Sequence, residues 1–379
     1  MATIGSASLE FNPKLNTLSK GKELRDGLSA VLHRGRTLWV ANDETIALER
    51  LTRLESTADG HHRFGEHKQF PLHDYLDLPV PPPTKASDIE EVDVEGMDVE
   101  DGYIWLVGSH SLKRVKPDKD ESPKKNAKKL AEIRREGNRF LLARIPVVEQ
   151  QDGTYTLEKQ IKQEDGSKRT AARLAGDDTG NELTRELAKD KHLKPFLESR
   201  IPGKDNGFDI EGLAVCNGRV LIGLRGPVLL GHAIIIEIAV KTDGPGTLKL
   251  KKLGPGGRRY RKHFLHLGGL GIRDLCVRGS DLLILAGPTL DLDGPVSLFC
   301  WPGGADPDKE NLLPKRALKP LAQLPVGDGV DHPEGITLFS SNGGDPDSLL
   351  VVYDSPSEER QDKDGGVRAD IIALNAAVA

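Results

Sequence analysis

The chain has 379 residues and a net charge of −5, with 37% hydrophobic residues, only 4% aromatic ones, and 41 glycines beside 24 prolines. That profile argues against a large helical core and for many short strands joined by tight turns. There is no global basic field, no run of about 18 apolar residues and no paired spacing among Cys216, Cys276 and Cys300, so nucleic-acid binding, membrane spanning and a disulfide framework are all disfavoured.

Residues 2–11 alternate loosely, with Ile4, Ala7, Leu9 and Phe11, and predict one strand. A first set of four strand-like runs follows: Gly27 to Val31, Thr37 to Ala41, Thr45 to Leu51 and His62 to Phe70. The prolines from Pro79 to Pro83 then read as a stiff connector. A second set begins with Gly96 to Val99 and Tyr103 to Gly108, and breaks off into a charged insert at residues 113–139. Strand character resumes at Phe140 to Val148 and Tyr155 to Ile161. A second polar, helix-like insert covers residues 163–207, with Asn181 as its predicted N-cap. Both inserts are expected to lie outside the sheet core.

The third set is the most regular, with Gly212 to Val215, Val220 to Leu224, Ala233 to Val240 and Thr247 to Leu253. A fourth follows at Ile272 to Val277, Leu282 to Ala286, Val296 to Trp301 and Leu318 to Leu324. The fifth has only three runs: Ile336 to Phe339, Leu349 to Tyr353 and Ala369 to Leu374.

One hairpin recurs through these sets. Asp209-Ile210-Glu211-Gly212-Leu213 passes through the turn Asn217-Gly218 into a second apolar strand. Asp93-Val94-Glu95-Gly96-Met97 and Pro333-Glu334-Gly335-Ile336 repeat it, and Arg25-Asp26-Gly27-Leu28 and Arg273-Asp274-Leu275 are weaker copies. The copies start near residues 27, 96, 212, 274 and 335, and the long second step is filled by the two inserts. Four-stranded units repeated in this way predict an all-β fold, a β-propeller occupying residues 1–379 as one domain. Five blades are expected, with six as the alternative, and the N-terminal strand is expected to close the ring.

The first strand of each blade lines the channel, so a residue type repeated at its start becomes a ring. Aligned on Leu28, Met97, Leu213, Leu275 and Ile336, the copies bring together Asp26, Glu95, Glu211, Arg273 and Glu334. Converging carboxylates repel unless a cation neutralises them, which suits a hard divalent ion, calcium first and magnesium second. Asp26, Glu95, Glu211 and Glu334 are the candidate ligands. The ends of the second strands rim the same mouth and supply Asp43, His110, Arg225 and Asp354. Arg225, Arg273 and Asp43 are candidates for binding substrate, while His110 and Asp354 are candidates for moving protons. No Gly-rich phosphate loop, nucleophile elbow or His-Glu-x-x-His pair is present.

The motifs Asp-x-Glu-Gly, Trp105-Leu106-Val107-Gly108-Ser109-His110-Ser111, Asn138-Arg139-Phe140-Leu141-Leu142-Ala143 and Gly223-Leu224-Arg225-Gly226-Pro227 resemble a bacterial family, domain of unknown function 3616. Leu267-Gly268-Gly269-Leu270-Gly271-Ile272-Arg273-Asp274 and Pro333-Glu334-Gly335-Ile336 extend the match over nearly the whole chain. More distantly, the Glu-Gly copies are similar to those of propeller hydrolases with a central calcium: phytase-like esterases, calcium-activated nucleotidases and lactonases. That similarity implies Glu95, Glu211 and Glu334 as metal ligands, with Arg273 standing where another carboxylate is expected. The expected function is therefore metal-dependent hydrolysis of a phosphoester or other anionic ester. The alternative is a non-catalytic binding or scaffold propeller that engages a protein partner through its helical inserts. The opening residues Met1 to Ser6 offer no export signal, so a cytoplasmic location is expected.

Overall fold

The computed structural model describes residues 3–18, 21–56, 61–82, 90–340 and 344–374. Pro83 at the end of the proline cluster, and Gly343 of the Gly-Gly turn in the fifth copy, lie outside them. The fold is β-rich and propeller-like. Its largest sheet starts as an antiparallel meander of Leu28–Arg34, Thr37–Asn42, Ala47–Arg53 and His62–Pro71. Thr3–Leu9 lies parallel to the last of these and antiparallel to Val367–Ala373. From there the sheet continues through Ser348–Asp354 to His332–Phe339.

Three further sheets follow the same antiparallel plan. One holds Val94–Glu100, Tyr103–Gly108, Leu142–Glu149 and Ala172–Leu174. The next holds Asp209–Cys216, Arg219–Leu229, His232–Ile238 and Tyr260–His266. The last holds Gly271–Arg278, Asp281–Gly287, Val296–Trp301 and Lys319–Leu324. The strands starting at Leu28, Val94, Asp209, Gly271 and His332 pack against one another in that cyclic order, the last returning to the first. The strand sets that follow these first strands are numbered below as units, in the same order.

Local chemistry accounts for these elements. Asn217 and Gly218 both take positive φ, 52° and 68°, and so do Asp101 and Gly102, at 50° and 73°. Those turns match the right-handed twist of the strands they join. The two-residue alternation then sends neighbouring side chains to opposite faces. Ala30 and Leu32 pack toward the second unit, with Val94, Met97 and Ile104, whereas Val31 packs toward the fifth, with Phe339 and Val352. Each pair of adjacent units shares such an apolar layer. Each fully buried leucine in these layers contributes about 1.5–3 kcal/mol.

Two strand assignments need correction. The fourth strand of the second unit is Ala172–Leu174, inside what the sequence presents as the second insert; Tyr155–Leu157 pairs only with the far end of Leu142–Glu149. The fourth strand of the third unit is Tyr260–His266, and Thr247–Leu250 crosses over to lie parallel to Ala172–Leu174. Three residues between charged stretches are too few to show a period of two.

The helices behave in two ways. Pro123–Ala131, in the first insert, buries none of its residues. In Glu182–Leu187 the Asn181 side chain accepts a hydrogen bond from the Thr184 N–H, as an N-cap should. This second helix buries Leu183 and Leu187 in the layer between the second and third units, contrary to the expectation that both inserts stay outside the core. No helix among the described residues is long and apolar enough to cross a membrane.

Candidate functional site

In every one of the five first strands the register slips near its start, and in the third unit a further slip between Asp209 and Ile210 leaves Arg225 unpaired on the second strand. The slips common to all five fall between Leu28 and Ala30, Val94 and Gly96, Ile210 and Gly212, Ile272 and Asp274, and Pro333 and Gly335. Each leaves one residue without a cross-strand partner: Ser29, Glu95, Glu211, Arg273 or Glu334. A bulge bends the strand locally and re-aims the extra side chain. Glycine follows the bulge in three units, and at Gly96 a Cβ would come within 2.7 Å of the Leu213 Cβ, so the next unit's strand could not pack as closely.

The bulges correct one member of the predicted ring. The residue matching Met97, Leu213, Leu275 and Ile336 in the first unit is Val31, which faces Val40, so the alignment on Leu28 is three residues out of register. Asp26 is therefore not in the ring. Its carboxylate accepts the Glu23 N–H at 3.0 Å and caps the short turn Leu24–Asp26. Ser29 takes the ring position and donates its hydroxyl to the Val94 carbonyl at 2.6 Å.

A second tier lies just outside the ring. Asp43, Ser109, Gly287 and Asp354 stand where four of the second strands end, and Arg225 lies within the longer strand Arg219–Leu229 opposite the start of its first strand, beside Asp93 and Asp209 at the lead-in to two first strands. Arg225 Nη1 donates to Glu211 Oε1 at 2.8 Å and stands 3.9 Å from Asp209 Oδ2. Arg273 Nη1 donates to Glu334 Oε1 at 2.6 Å and lies 3.2 Å from Glu211 Oε2, an oxygen that accepts no hydrogen bond. Arg139 pairs with Asp93, with Glu136 at 2.7 Å and with Glu91 at 3.0 Å, and also donates to Ser109 and Ser111. The loop at residues 202–207 runs across this face. Asp205 bridges to Leu290, and Asp205 Oδ2 accepts from Arg114 at 2.6 Å. Lys204 on the same loop is exposed and makes no ion pair among the described residues.

Carboxylates outnumber cations here, and their pKa values show it. Burial, then the Asp93, Glu211 and Glu334 charges, push Glu95 well above the ordinary carboxylate range. Burial also raises Glu211, against the opposing pull of Arg225 and Arg273. Asp209 is pushed up to about 7 by burial and Glu211. Burial, Asp93 and Asp354 push Asp43 up to about 8, with Lys204 opposing. Burial and Arg225 work against the Lys204 ammonium, but Asp43, Asp291 and Asp354 outweigh them and raise its pKa.

Arg225, Arg273, Glu95, Glu211 and Glu334 thus come together, with Asp43 and Asp354 on the rim. His110 does not serve as the proton carrier expected of it. Its Nδ1 pairs with the Gly108 carbonyl at 2.7 Å and its Nε2 with the Asn181 side chain at 2.7 Å, both buried. Burial depresses its pKa to about 4, so it is a neutral strut with no free nitrogen near pH 7. Among the described residues no group of three His, Cys, Asp or Glu side chains is arranged to hold a metal ion. Sequence reasoning missed Ser29, Asp93, Asp209, Arg139 and Lys204. The Asp-x-Glu spacing shared by Asp93-Val94-Glu95 and Asp209-Ile210-Glu211 was the available signal for two of them.

The chain belongs to the family described as protein of unknown function (DUF3616), whose profile matches residues 27–370. No curated protein matches it. Among solved structures it is similar to an exo-beta-1,3-galactanase from Phanerochaete chrysosporium, at 8% identity and a TM-score of 0.38, over 97% of this chain and 64% of that one. It is similar to a Trypanosoma rangeli sialidase at 9% identity and a TM-score of 0.34, over 99% of this chain and 58% of that one. A putative oxidoreductase (glucose dehydrogenase) from Thermus thermophilus shows 13% identity and a TM-score of 0.36, over 97% and 100% of the two chains. The chain thus spans less than two thirds of the galactanase and of the sialidase. Similarities this weak carry no argument about blade number or activity.

Proposed function

We propose that this family member is a five-bladed propeller hydrolase, its ring closed by Thr3–Leu9, that acts on a small anionic ester at the channel mouth. The pairing of Thr3–Leu9 with Val367–Ala373 and the five matched bulges support the blade count. The observation that carries the activity is Asp43. It is a carboxyl group with no cationic partner within ion-pair distance among the described residues, raised to about 8, on the rim that also feels the exposed Lys204 ammonium. A general acid must hold its proton at the working pH and stand near the group that receives the substrate's charge. Lys204 receives the anion in this reading, and Asp43 gives its proton to the leaving oxygen. Asp354, which bears on Asp43 electrostatically, returns that proton from water. Arg225 and Arg273, already paired, hold Glu211 and Glu334 in place.

The three ring carboxylates are hard oxygen donors of the kind calcium or magnesium takes, but among the described residues Glu95, Glu211 and Glu334 are not arranged as a three-ligand group, and Arg273 and Arg225 already engage Glu334 and Glu211. The residues as they stand do not fit a bound divalent ion, and no step of the proposed hydrolysis is routed through one. The second reading is a binding or scaffold propeller, and the engagement of both arginines with their own glutamates favours it. A panel of nitrophenyl phosphate and carboxylate esters, tested with calcium, magnesium and chelator, decides between them. The hydrolase reading expects turnover that Asp43→Asn abolishes. No turnover of any ester with either metal, and melting unmoved by metal or chelator, would leave the scaffold reading.

A further inference from the structure

A second concave site lies far from the channel, at the outer edge of the third unit. It is a cleft of about 640 Å³ lined by the turn at residues 189–192, the strand Tyr260–His266 and the short edge strand Asn311–Leu313 that pairs parallel to it. That volume suits a ligand of nucleotide size.

Its floor is a completed polar network. Asp190 Oδ2 accepts from the Tyr260 hydroxyl at 2.7 Å and from Lys262 Nζ at 2.6 Å, both buried. Burial works to raise the Asp190 carboxyl, but these bonds hold it down at about 2. Lys262 Nζ also donates to His192 Nδ1 at 2.8 Å, so the ring proton sits on Nε2, for which the described residues supply no partner. Burial and the Lys262 charge keep His192 neutral by lowering its pKa. Glu310, the other acid of the cleft, is engaged by Arg258 Nη2 at 2.7 Å. Asp190 and Glu310 are therefore both answered by cations, while Lys191 has no anionic partner among the described residues and stands exposed at the rim.

Beside these donors lie apolar faces. The His192 and Phe264 rings pack edge to face at 5.3 Å, and Leu312 lines the cleft while 69% exposed. A neutral N–H, an unpaired ammonium and an open apolar wall on one cleft suit a ligand that is anionic at one end and flat at the other.

We propose that this cleft binds a small organic phosphate with an aromatic or heterocyclic ring. Lys191 and His192 Nε2–H meet the phosphate, and the ring lies against Phe264 and Leu312. Calorimetry on the full chain tests it, with AMP, phenyl phosphate, adenosine and inorganic phosphate as probes. AMP is expected to bind below about 1 mM and to lose about tenfold or more in Lys191→Glu and in His192→Ala. Leu312→Asp should weaken AMP without changing inorganic phosphate. Glu211→Gln, at the channel, should leave AMP binding unchanged, which separates this site from the hydrolytic reading. Absence of AMP binding, indifference to Lys191→Glu and His192→Ala, or equal affinity for AMP and inorganic phosphate would each overturn the proposal. Lys191 and Leu312 are exposed, so their variants should fold, and melting curves verify it.

Discussion

Asp43→Asn is expected to stabilise the protein at alkaline pH while abolishing any turnover. Burial and the neighbouring Asp93 and Asp354 raise this carboxyl from 3.8 to about 8. The folded state thus binds its proton more tightly than the unfolded chain does, and stability falls as pH rises from about 4 to about 8. At about 1.36 kcal/mol per pKa unit, the full shift corresponds to about 6 kcal/mol at pH 9. Asp43 is only half-buried and Lys204 opposes the shift, so screening reduces the expected effect to about 2 kcal/mol. For a chain of this length that is about 2–3 °C in melting temperature. Asparagine keeps the shape and cannot ionise. Its melting temperature should match that of the wild type near pH 4 and exceed it by this margin at pH 9. Identical melting curves for the two proteins from pH 4 to 9 would refute the argument, because Asp43 would then ionise normally.

Arg273→Met removes the cation shared by Glu211 and Glu334, leaving Glu334 without an ion-pair partner among the described residues and Glu211 with Arg225 alone. A loss of about 3–5 kcal/mol is expected by denaturant unfolding, and Glu334→Gln in the same chain should recover part of it. No coupling between the two substitutions would show that the pair does not interact. Deleting residues 1–11 bares the facing edges of His62–Pro71 and Val367–Ala373. Such edges pair with other chains, so aggregation on refolding is expected, and a soluble monomer would contradict ring closure by Thr3–Leu9.

The repeat was legible because each unit begins with the same local devices. A tight turn and two apolar strands, joined in three of the units by a Glu-Gly pair, are encoded within about 15 residues, and local signals of that kind survive in a single sequence. The strands that went astray are the outer ones. Ala172–Leu174 is three residues long, and what defines it is a partner 30 residues earlier in Leu142–Glu149 and another at Thr247–Leu250. Pairing over such separations leaves no periodic trace in the strand itself.

The site divides along the same line. Glu95, Glu211, Arg273 and Glu334 were found because a bulge repeats in the same local frame, with the same slip in the ladder. Asp26 was wrongly included because glycine follows it too. Gly27 is a lead-in residue that bridges to Asp354, and the bulge falls two positions later at Ser29. His110 shows the opposite limit. Its sequence context, between two serines at a strand end, is that of a reactive group. What disarms it is Asn181, 71 residues away, whose side chain caps a helix and holds the imidazole in place. Whether a titratable residue performs chemistry is decided by what satisfies it in the fold, and Asp43 is a rim carboxyl that no cation answers within ion-pair distance among the described residues.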